Sequence, residues 1–304
     1  MDGFLKINSV SDYFDLREQE LSHPLIGLLD FSNYNPSNET NFNYEGLAFG
    51  CYAIFLKDHA DCKLSYGGGP YDFDEGTMVF IAPGQKVGLN RAPNFKPKGY
   101  ALLFHPDLLI GTSLTTQMRK YTYFSYAVKE ALHLSHKERK IVLSLFDKIQ
   151  FELDQNIDQY SQSLLISNLS LLLDYCLRFF DRQFITRGLV NQNNIEQFDQ
   201  MLEAYLGSEK PEIYGLPTVS YFADQLHLSS NYFGDLIRKE TGVSAQEYIQ
   251  QKILDTAKSK LCDPHKNIQI IAQELGFKYP QHFTRLFKQK LGTTPKAYRN
   301  QLLN

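Results

Sequence analysis

Cysteine and histidine, the residues that most often hold metals or act as nucleophiles, are dispersed along this chain. No two of the four cysteines have the short spacing of a zinc or redox motif, and none of the eight histidines forms a His-x-His or His-Glu-x-x-His pair. The cysteines are Cys51, Cys62, Cys176 and Cys262. We therefore expect free thiols, no metal, no cofactor and no catalytic residue, so an enzyme is not expected.

A shared spacing appears near the C-terminus, where residues 223–242 and residues 272–292 repeat one pattern. The two segments align when one residue is added in the second. The matched pairs are Ala223 and Ala272, Leu226 and Leu275, Leu228 and Phe277, Phe233 and Phe283, Leu236 and Leu286, Ile237 and Phe287, Gly242 and Gly292, and Tyr248 and Tyr298. Each copy predicts two helices that cross at a tight turn, which is a helix-turn-helix unit.

The matched positions have structural tasks. The alanines let two helices cross closely, the apolar triplet buries one face of the second helix, and the last glycine can end that helix in the left-handed conformation. Ser229 suits the N-cap of the second helix in the first copy, while Gly276 suits the turn and Pro280 the first helical turn in the second copy. Each copy ends on a basic tail, which favours a DNA-binding pair over two unrelated helical hairpins.

Residues 244–262 predict one long helix between the copies, capped by Ser244 and stopped by Asp263 and Pro264. At about 1.5 Å per residue this helix is about 28 Å long. It can hold two recognition helices about 34 Å apart, in successive major grooves of one DNA face. One chain would then read a long, non-palindromic site.

Three motifs carry a family resemblance: Ile270-Ile-Ala-Gln-Glu-Leu-Gly-Phe277, Phe283-Thr-Arg-Leu-Phe-Lys288 and Gly292-Thr-Thr-Pro-Lys-Ala-Tyr-Arg299. With them, the segment from Thr218 to Arg299 resembles the DNA-binding domain of the AraC/XylS family of bacterial transcription regulators. The resemblance implies a cytoplasmic, sequence-specific regulator whose partner is double-stranded DNA. It also implies a small-molecule effector, a homodimer, and RNA polymerase as a further candidate partner.

Side chains that reach base edges lie near the N-terminus of a recognition helix, opposite its buried triplet. Arg285 can bond the O6 and N7 atoms of guanine and Gln281 can bond adenine, although a contact of Arg285 with phosphate alone is the alternative. The candidate base-reading residues are Asn231, Tyr232, Asp235, Tyr279, Gln281, His282 and Arg285. The candidate phosphate-binding residues are Ser229, Ser230, Arg238, Lys239, Lys278, Thr284 and Lys288.

The first copy departs from the long polar or basic side chains that the resemblance leads us to expect. Gly234 stands opposite Thr284 and has no side chain with which to read a base. Asp235 repels phosphate and can only accept, for example from the N4 amine of cytosine. We therefore expect the second copy to supply more of the base discrimination.

The first half predicts short strands at residues 49–56, 63–66, 77–82 and 99–104, with a turn at 67–70, as in an antiparallel sandwich or small barrel. Within it, Asp72-Phe-Asp-Glu-Gly-Thr-Met-Val-Phe-Ile-Ala-Pro-Gly84 resembles a strand and proline turn of the cupin fold. We expect an α+β chain: an antiparallel, cupin-like β-barrel with accessory helices, then an all-α domain with two helix-turn-helix units joined by a long helix.

Two apolar helices are expected after the strands. One starts at Ser135, where Glu138 completes a capping box, and the other runs over residues 161–180. These helices either pack on the barrel or pair with a second copy of the chain.

We divide the chain into a sensor and dimerisation domain at residues 1–190 and a DNA-binding domain at residues 191–304. The hinge is expected at 182–192. Asn194 is expected to cap a helix that ends at Gly207, and residues 211–217 are expected to form a loop.

Charge and hydropathy fit this division. The net charge is only −3, but residues 207–304 hold 13 Lys and Arg against 9 Asp and Glu, a net charge of +4, which leaves −7 on residues 1–206. The most apolar stretch, residues 164–180, is interrupted by polar side chains, and the first residues lack the order of a signal peptide. We expect no membrane span.

Other classes of protein stay open. A cupin-type enzyme with a DNA-binding appendage needs a metal triad or carboxylate cluster in the barrel, whereas a ligand-independent regulator uses the barrel only to dimerise. A DNA-repair methyl acceptor needs a reactive cysteine, but we expect Cys262 to lie in the core. Ligand-binding residues are not predicted, because the aromatic residues of the first half can either stack on a ligand or pack the core.

Overall fold

The computed structural model describes residues 3–33, 45–57, 76–88 and 98–303, and the chain divides into two compact units, Met1–Thr186 and Arg187–Asn304. The strands are β1 (Phe4–Ile7), β2 (Ile26–Asp30), β3 (Gly46–Phe49), β4 (Tyr52–Lys57), β5 (Thr77–Ile81), β6 (Lys86–Gly88), β7 (Gly99–Phe104) and β8 (Leu132–His133). The helices of the first unit are α1 (Val10–Leu16), α2 (Leu114–Gln117), α3 (His136–Leu153) and α4 (Ser161–Thr186). Those of the second unit are α5 (Gly188–Leu206), α6 (Lys210–Tyr214), α7 (Val219–Gln225), α8 (Ser230–Thr241), α9 (Ala245–Leu261), α10 (Ile268–Glu274), α11 (Pro280–Leu291) and α12 (Pro295–Leu303).

The strands of the first unit lie in two sheets. One has the order β1-β3-β6, with β1 parallel to β3, and the other is antiparallel with the order β2-β7-β4-β5-β8. The described residues therefore contain two open sheets and one parallel pair, so the expected closed, wholly antiparallel cupin-like barrel is not confirmed. The parallel pair joins segments far apart in sequence, which no local alternation of polar and apolar residues records.

The larger sheet is covered on both faces. Ala53, Val79 and Leu103 point toward the small sheet, where they pack with Phe49 and Tyr13. On the opposite face Phe80 contacts Phe180 of α4 at 5.8 Å between ring centroids. Burial on both sides explains why every residue of β5 is buried instead of alternate ones.

The predicted strand at 99–104 is β7, and the one at 77–82 is β5, which ends at Ile81. The run at 49–56 is two strands, because the chain turns at Gly50. The amide of Gly50 donates to Ile7 O at 2.7 Å. Its Cα lies so close to the backbone of Asn8 that a side chain would not fit easily. The strand expected at 63–66, the turn at 67–70, the first residues of the cupin-like segment (72–75) and Cys62 lie outside the described residues.

The two apolar helices pack on each other and on the first unit's sheet. The capping box that begins α3 is confirmed, since Glu138 N donates to Ser135 Oγ at 3.3 Å and Ser135 N donates to Glu138 Oε2 at 2.8 Å. Helix α4 extends past the expected end at residue 180 to Thr186. By length and composition alone α4 could cross a membrane, with a mean hydropathy of 1.3, but core helices of other proteins meet the same criterion, and α4 buries Leu169, Leu172 and other residues in the unit.

The division between the two units, after Thr186, lies within the segment 182–192 that was expected to connect them, but the helices around it differ from the expectation. Helix α4 continues through this segment to Thr186, and α5 starts at Gly188. Asn194 therefore lies inside α5 and does not cap a helix. Helix α6 occupies most of the segment expected as a loop at 211–217. Gly207 does end α5, as predicted. The polar run at 191–194 is a poor helix signal by propensity, but packing of the rest of α5 overrides propensity.

That packing makes α5 part of the second unit's core. Phe198 is fully buried, and its ring lies 5.1 Å from Phe222 and 5.0 Å from Phe233, measured between centroids. Asp199 accepts from Tyr248 Oη at 2.8 Å and from Lys252 Nζ at 2.7 Å on α9. Helix α5 is thus fixed to both the first helix-turn-helix unit and the long helix α9.

Candidate nucleic-acid interface

The two helix-turn-helix units share their backbone hydrogen bonds as well as their sequence pattern. In the first turn Leu228 N donates to Ala223 O at 2.8 Å, and in the second turn Phe277 N donates to Ala272 O at 2.9 Å. Both alanines are fully buried where the helices cross. The second turn is one residue longer between its helices, as the alignment required. The two-unit, all-α architecture is therefore confirmed.

The caps of the recognition helices follow the expected chemistry. Ser229 Oγ accepts from Tyr232 N at 3.2 Å at the start of α8, and Pro280 is the first residue of α11. The helices end at Gly242 and Gly292, whose φ values are +76° and +73°. These left-handed residues are the helix stops that the sequence predicted.

The turn of the first helix-turn-helix copy contains a strained residue that the sequence did not predict. His227 takes the place of Gly276 and has a φ of +55°, against +89° for the glycine. A histidine pays a steric cost in this region that glycine does not. The alignment of the two copies was the signal that could have found it, since it sets a non-glycine residue against a turn glycine.

Replacing His227 with glycine is expected to stabilise the second unit by about 0.5–1 kcal/mol, because it relieves the left-handed strain. Chemical denaturation followed by circular dichroism measures the change. Gln225→Gly, two residues earlier and still in α7, removes an exposed side chain from helical backbone and should destabilise the unit. A destabilising His227→Gly would show that the imidazole's contacts outweigh the strain.

One face of each recognition helix is core. Phe233, Leu236 and Ile237 of α8 are fully buried, and so are Phe283 and Phe287 of α11, with Leu286 partly buried beside them. The opposite faces are thereby directed away from the core. The triplets thus fix which side chains each helix presents.

The exposed face of α11 carries the long polar and basic side chains. Gln281, His282, Arg285 and Lys288 are all exposed. Thr284 is half-buried, and its hydroxyl donates to Pro280 O at 3.2 Å within the helix. These residues project from the helix as a sequence-reading face requires.

The residues before α11 extend this face. Tyr279 is the N-cap residue and is 47% exposed. Its ring contacts the His282 ring edge-on at 5.5 Å, and Lys278 Nζ lies 5.7 Å from its centroid. The candidate base-reading residues of the second helix-turn-helix copy are thus brought together around the N-terminus of α11.

The exposed face of α8 is different. Ser230, Asn231, Arg238 and Lys239 are exposed, and Ser229, Gly234 and Asp235 are half-buried. Tyr232 is only 4% exposed, so the structure places this expected base reader in the core. Its position directly before Phe233 and one turn before Leu236 puts its ring at the border of the buried triplet. We therefore withdraw Tyr232 as a candidate base reader.

In the described part of residues 187–304, some basic side chains are paired with an acidic side chain, whereas others are not. Glu274 of α10 binds Lys260 Nζ at 2.6 Å and Lys266 Nζ at 2.7 Å. Burial alone would raise the pKa of Glu274, but the two ammonium groups outweigh it and hold that pKa below its usual value. Among the described residues no ion pair is formed by Arg285 or Lys288, so these charges remain for an anionic partner.

The long helix α9 has the expected start and stop. Ser244 and Glu247 form a capping box, and Cys262 is the C-cap. Helix α9 is about 25 Å long at 1.5 Å per residue. At its end, Arg299 Nε donates to the carbonyl of Leu261 at 3.2 Å.

Cys262 is exposed, so the expectation that it lies in the core is wrong. The other described cysteines, Cys51 and Cys176, are buried, and burial raises the pKa of the Cys51 thiol to about 11.

Comparisons with known proteins agree with this geometry. Residues 222–301 match a family described as "Helix-turn-helix domain". The chain is 37% identical over 84 residues to an uncharacterized HTH-type transcriptional regulator, YtdP, of Bacillus subtilis; this match covers 28% of the chain and 11% of that relative. It is 23% identical over 262 residues to the Msm operon regulatory protein of Streptococcus mutans, which covers 80% of the chain and 90% of that relative.

A solved structure of a transcriptional regulator with an AraC-type DNA-binding domain, from Chromobacterium violaceum, is 22% identical and covers 36% of this chain and 93% of its own, with a TM-score of 0.32. The chain spans about a tenth of the length of the Bacillus relative.

Residues 222–301 form a helix-turn-helix domain of the AraC type, and the resemblance to the AraC/XylS family is confirmed for this domain.

Proposed function

We propose that the protein is a sequence-specific DNA-binding transcription regulator of the AraC type. The observation that carries this proposal is the exposed face of α11, which presents Gln281, Arg285 and Lys288 beside a duplicated helix-turn-helix core. Arg285 hydrogen-bonds guanine and Gln281 hydrogen-bonds adenine in the major groove. Lys278 and Lys288 bind phosphate and set the register, and Thr284 joins them by turning its hydroxyl from Pro280 O to a phosphate oxygen.

The two helix-turn-helix copies contribute unequally to the recognition of DNA bases. In α8 the base readers are Asn231 and Asp235, and the phosphate partners are Ser229, Ser230, Arg238 and Lys239. Ser229 also caps α8, since its hydroxyl oxygen accepts from Tyr232 N at 3.2 Å. The face of α8 combines one acidic side chain with its basic ones, whereas that of α11 is basic, so α11 makes the larger electrostatic contribution.

The first unit serves as the sensor and dimerisation unit of a cytoplasmic homodimer, with a small-molecule effector and with RNA polymerase as a further partner. Phe151 of α3 is 63% exposed, and Leu164 and Leu171 of α4 are 44% and 43% exposed. Apolar side chains on neighbouring packed helices support a second copy as the partner for this surface. The relative of similar length is named for the regulation of an operon, which supports regulation as the role of the whole chain.

A ligand-independent dimeric regulator is the second candidate. The observation in its favour is that the space between the two sheets is packed with Tyr13, Phe49 and Leu103, among other buried side chains. A unit packed in this way can act as a scaffold without an effector. The relatives are named as regulators, which favours either candidate over the cupin-type enzyme.

Arg285→Ala is expected to lower affinity for the preferred DNA site by about 1–3 kcal/mol and to relax preference for guanine at one position. The site is first obtained by enriching random duplexes on the wild-type chain, and affinities are then measured by gel shift. Lys210→Ala is the matched control, because Lys210 is an exposed cation of the same unit on α6.

The two variants also separate specific from general effects. Lys210→Ala should leave the preferred sequence unchanged. A uniform loss for Arg285→Ala on every duplex would assign Arg285 to phosphate. A wild-type chain that enriches no sequence would overturn the proposed function.

A further inference from the structure

Four glycines lie in the two helix-turn-helix units, and three have a reason in the protein's own structure. Gly242 and Gly292 have φ values of +76° and +73°, which favour glycine. Gly276 has a φ of +89°, and a Cβ there would lie 2.6 Å from the carbonyl carbon of Gly215. The fourth glycine, Gly234, needs a different explanation.

Gly234 lies in the middle of α8, outside the set of residues with positive φ. A Cβ built on it would meet no atom within 4 Å among the described residues, apart from its chain neighbours and the backbone of its own helix. The fold therefore has room for a side chain at this position. Alanine is also the better helix former, so glycine weakens α8 without any gain in packing.

Gly234 lies on the face of α8 that carries the candidate DNA-binding side chains. The buried triplet occupies the opposite face, while Asn231 and Arg238 lie one turn before and one turn after the glycine, and Asp235 follows it. Its counterpart in α11 is Thr284, on the exposed face of that helix. Glycine is the residue that allows a backbone to approach a ligand closely.

We propose that Gly234 is a specificity-determining residue: its missing side chain lets the main chain of α8 approach the base edges of the major groove. This inference rests on the proposed DNA-binding function. Asp235 is short and must come near a base to accept from a cytosine amine. A Cβ at position 234 would hold α8 away from the groove floor and leave Asp235 out of reach.

The test compares Gly234→Ala with the wild-type chain in thermal unfolding and in DNA binding. We expect the melting temperature of Gly234→Ala to rise by roughly 3–6 °C, because alanine favours the helix. On the duplex enriched by the wild-type chain, its affinity should fall at least tenfold. On the same duplex with the half-site of α8 scrambled, the two proteins should bind equally. Gly234→Leu should lower affinity further.

Gly188→Ala is the matched control, because Gly188 is the first residue of α5 and a Cβ there also meets no described atom within 4 Å. It should keep wild-type affinity, which excludes a general effect of adding a methyl group to an open glycine. An unchanged affinity and sequence preference for Gly234→Ala would overturn the inference alone. A loss of equal size on every duplex would place the close approach at the phosphates and overturn it too. Failure of the wild-type chain to enrich any sequence would overturn the proposed function as well.

Discussion

Replacing Gly276 with alanine is expected to destabilise the second helix-turn-helix unit by about 2–4 kcal/mol. Two costs add: alanine is strained at a φ of +89°, and its Cβ would lie 2.6 Å from the carbonyl carbon of Gly215 and 2.9 Å from the amide nitrogen of Leu216. Since these are backbone atoms, no rotamer change relieves the overlap. The segment at Gly215 or the turn between α10 and α11 must move.

Gly292→Ala separates the two costs. Gly292 has a φ of +73°, but a Cβ there meets no described atom within 4 Å, so only the conformational cost of about 1 kcal/mol remains. Chemical denaturation followed by circular dichroism gives both values, and hydrogen exchange shows whether protection is lost first in α10 and α11. Equal destabilisation by the two variants would mean that the contact with Gly215 has no energetic weight.

The same substitution should affect DNA reading. The turn at Gly276 sets the angle between α10 and α11, so a displaced turn moves Gln281 and Arg285 together. Under the proposed function, Gly276→Ala should lose sequence preference at the positions assigned to α11 and keep it at those assigned to α8, when both are measured well below its melting temperature. Duplexes with one half-site scrambled at a time measure this division.

The helix-turn-helix units were predictable because their signals are local. Small residues at the helix crossing, apolar triplets at helical spacing and glycine stops each act within a few residues, and duplication repeated every signal. The capping boxes at Ser135 and Ser244 are of the same kind. Such features depend on short-range sterics and hydrogen bonds that hold in any tertiary context.

Features that depend on distant segments were missed. Glu274 is bound by Lys260, which lies on another helix, so nothing in the local sequence marks the pair. The burial of Tyr232 depends on how closely α8 packs, and the triplet pattern does not define the edge of the buried face. Helix α5 runs through a polar segment because Phe198 docks between Phe222 and Phe233.

In the first unit the sequence predicted strands better than their arrangement. Residues 77–82 and 99–104 carry local β propensity, and both became strands of the larger sheet. The parallel pairing of β1 with β3 gave no local signal. Neither did the cover of helices on the outer face, which leaves every residue of β5 buried.

Replacing Arg182 with methionine is expected to destabilise the first unit by about 2–4 kcal/mol, the second of the two largest effects. Arg182 of α4 binds Glu138 through two hydrogen bonds, Nε to Oε1 at 3.0 Å and Nη2 to Oε2 at 2.6 Å, and Nη2 also donates to His133 O at 2.7 Å. Both side chains are mostly buried, with 22% and 13% exposed. Methionine preserves the apolar stem but leaves the Glu138 carboxylate without its counter-charge, and it removes a tie between α4 and β8.

Two further variants test that cause. Arg178→Met, an exposed position one turn earlier on α4, should change stability by less than about 0.5 kcal/mol. Glu138→Gln combined with Arg182→Met should recover part of the loss, because the buried charge is gone while the amide can still accept from Ser135 N. Denaturation combined with hydrogen exchange of α3 and α4 measures all three. If the double variant is less stable than Arg182→Met, the cost lies in lost hydrogen bonds to the backbone and capping box, and the uncompensated carboxylate is not its source.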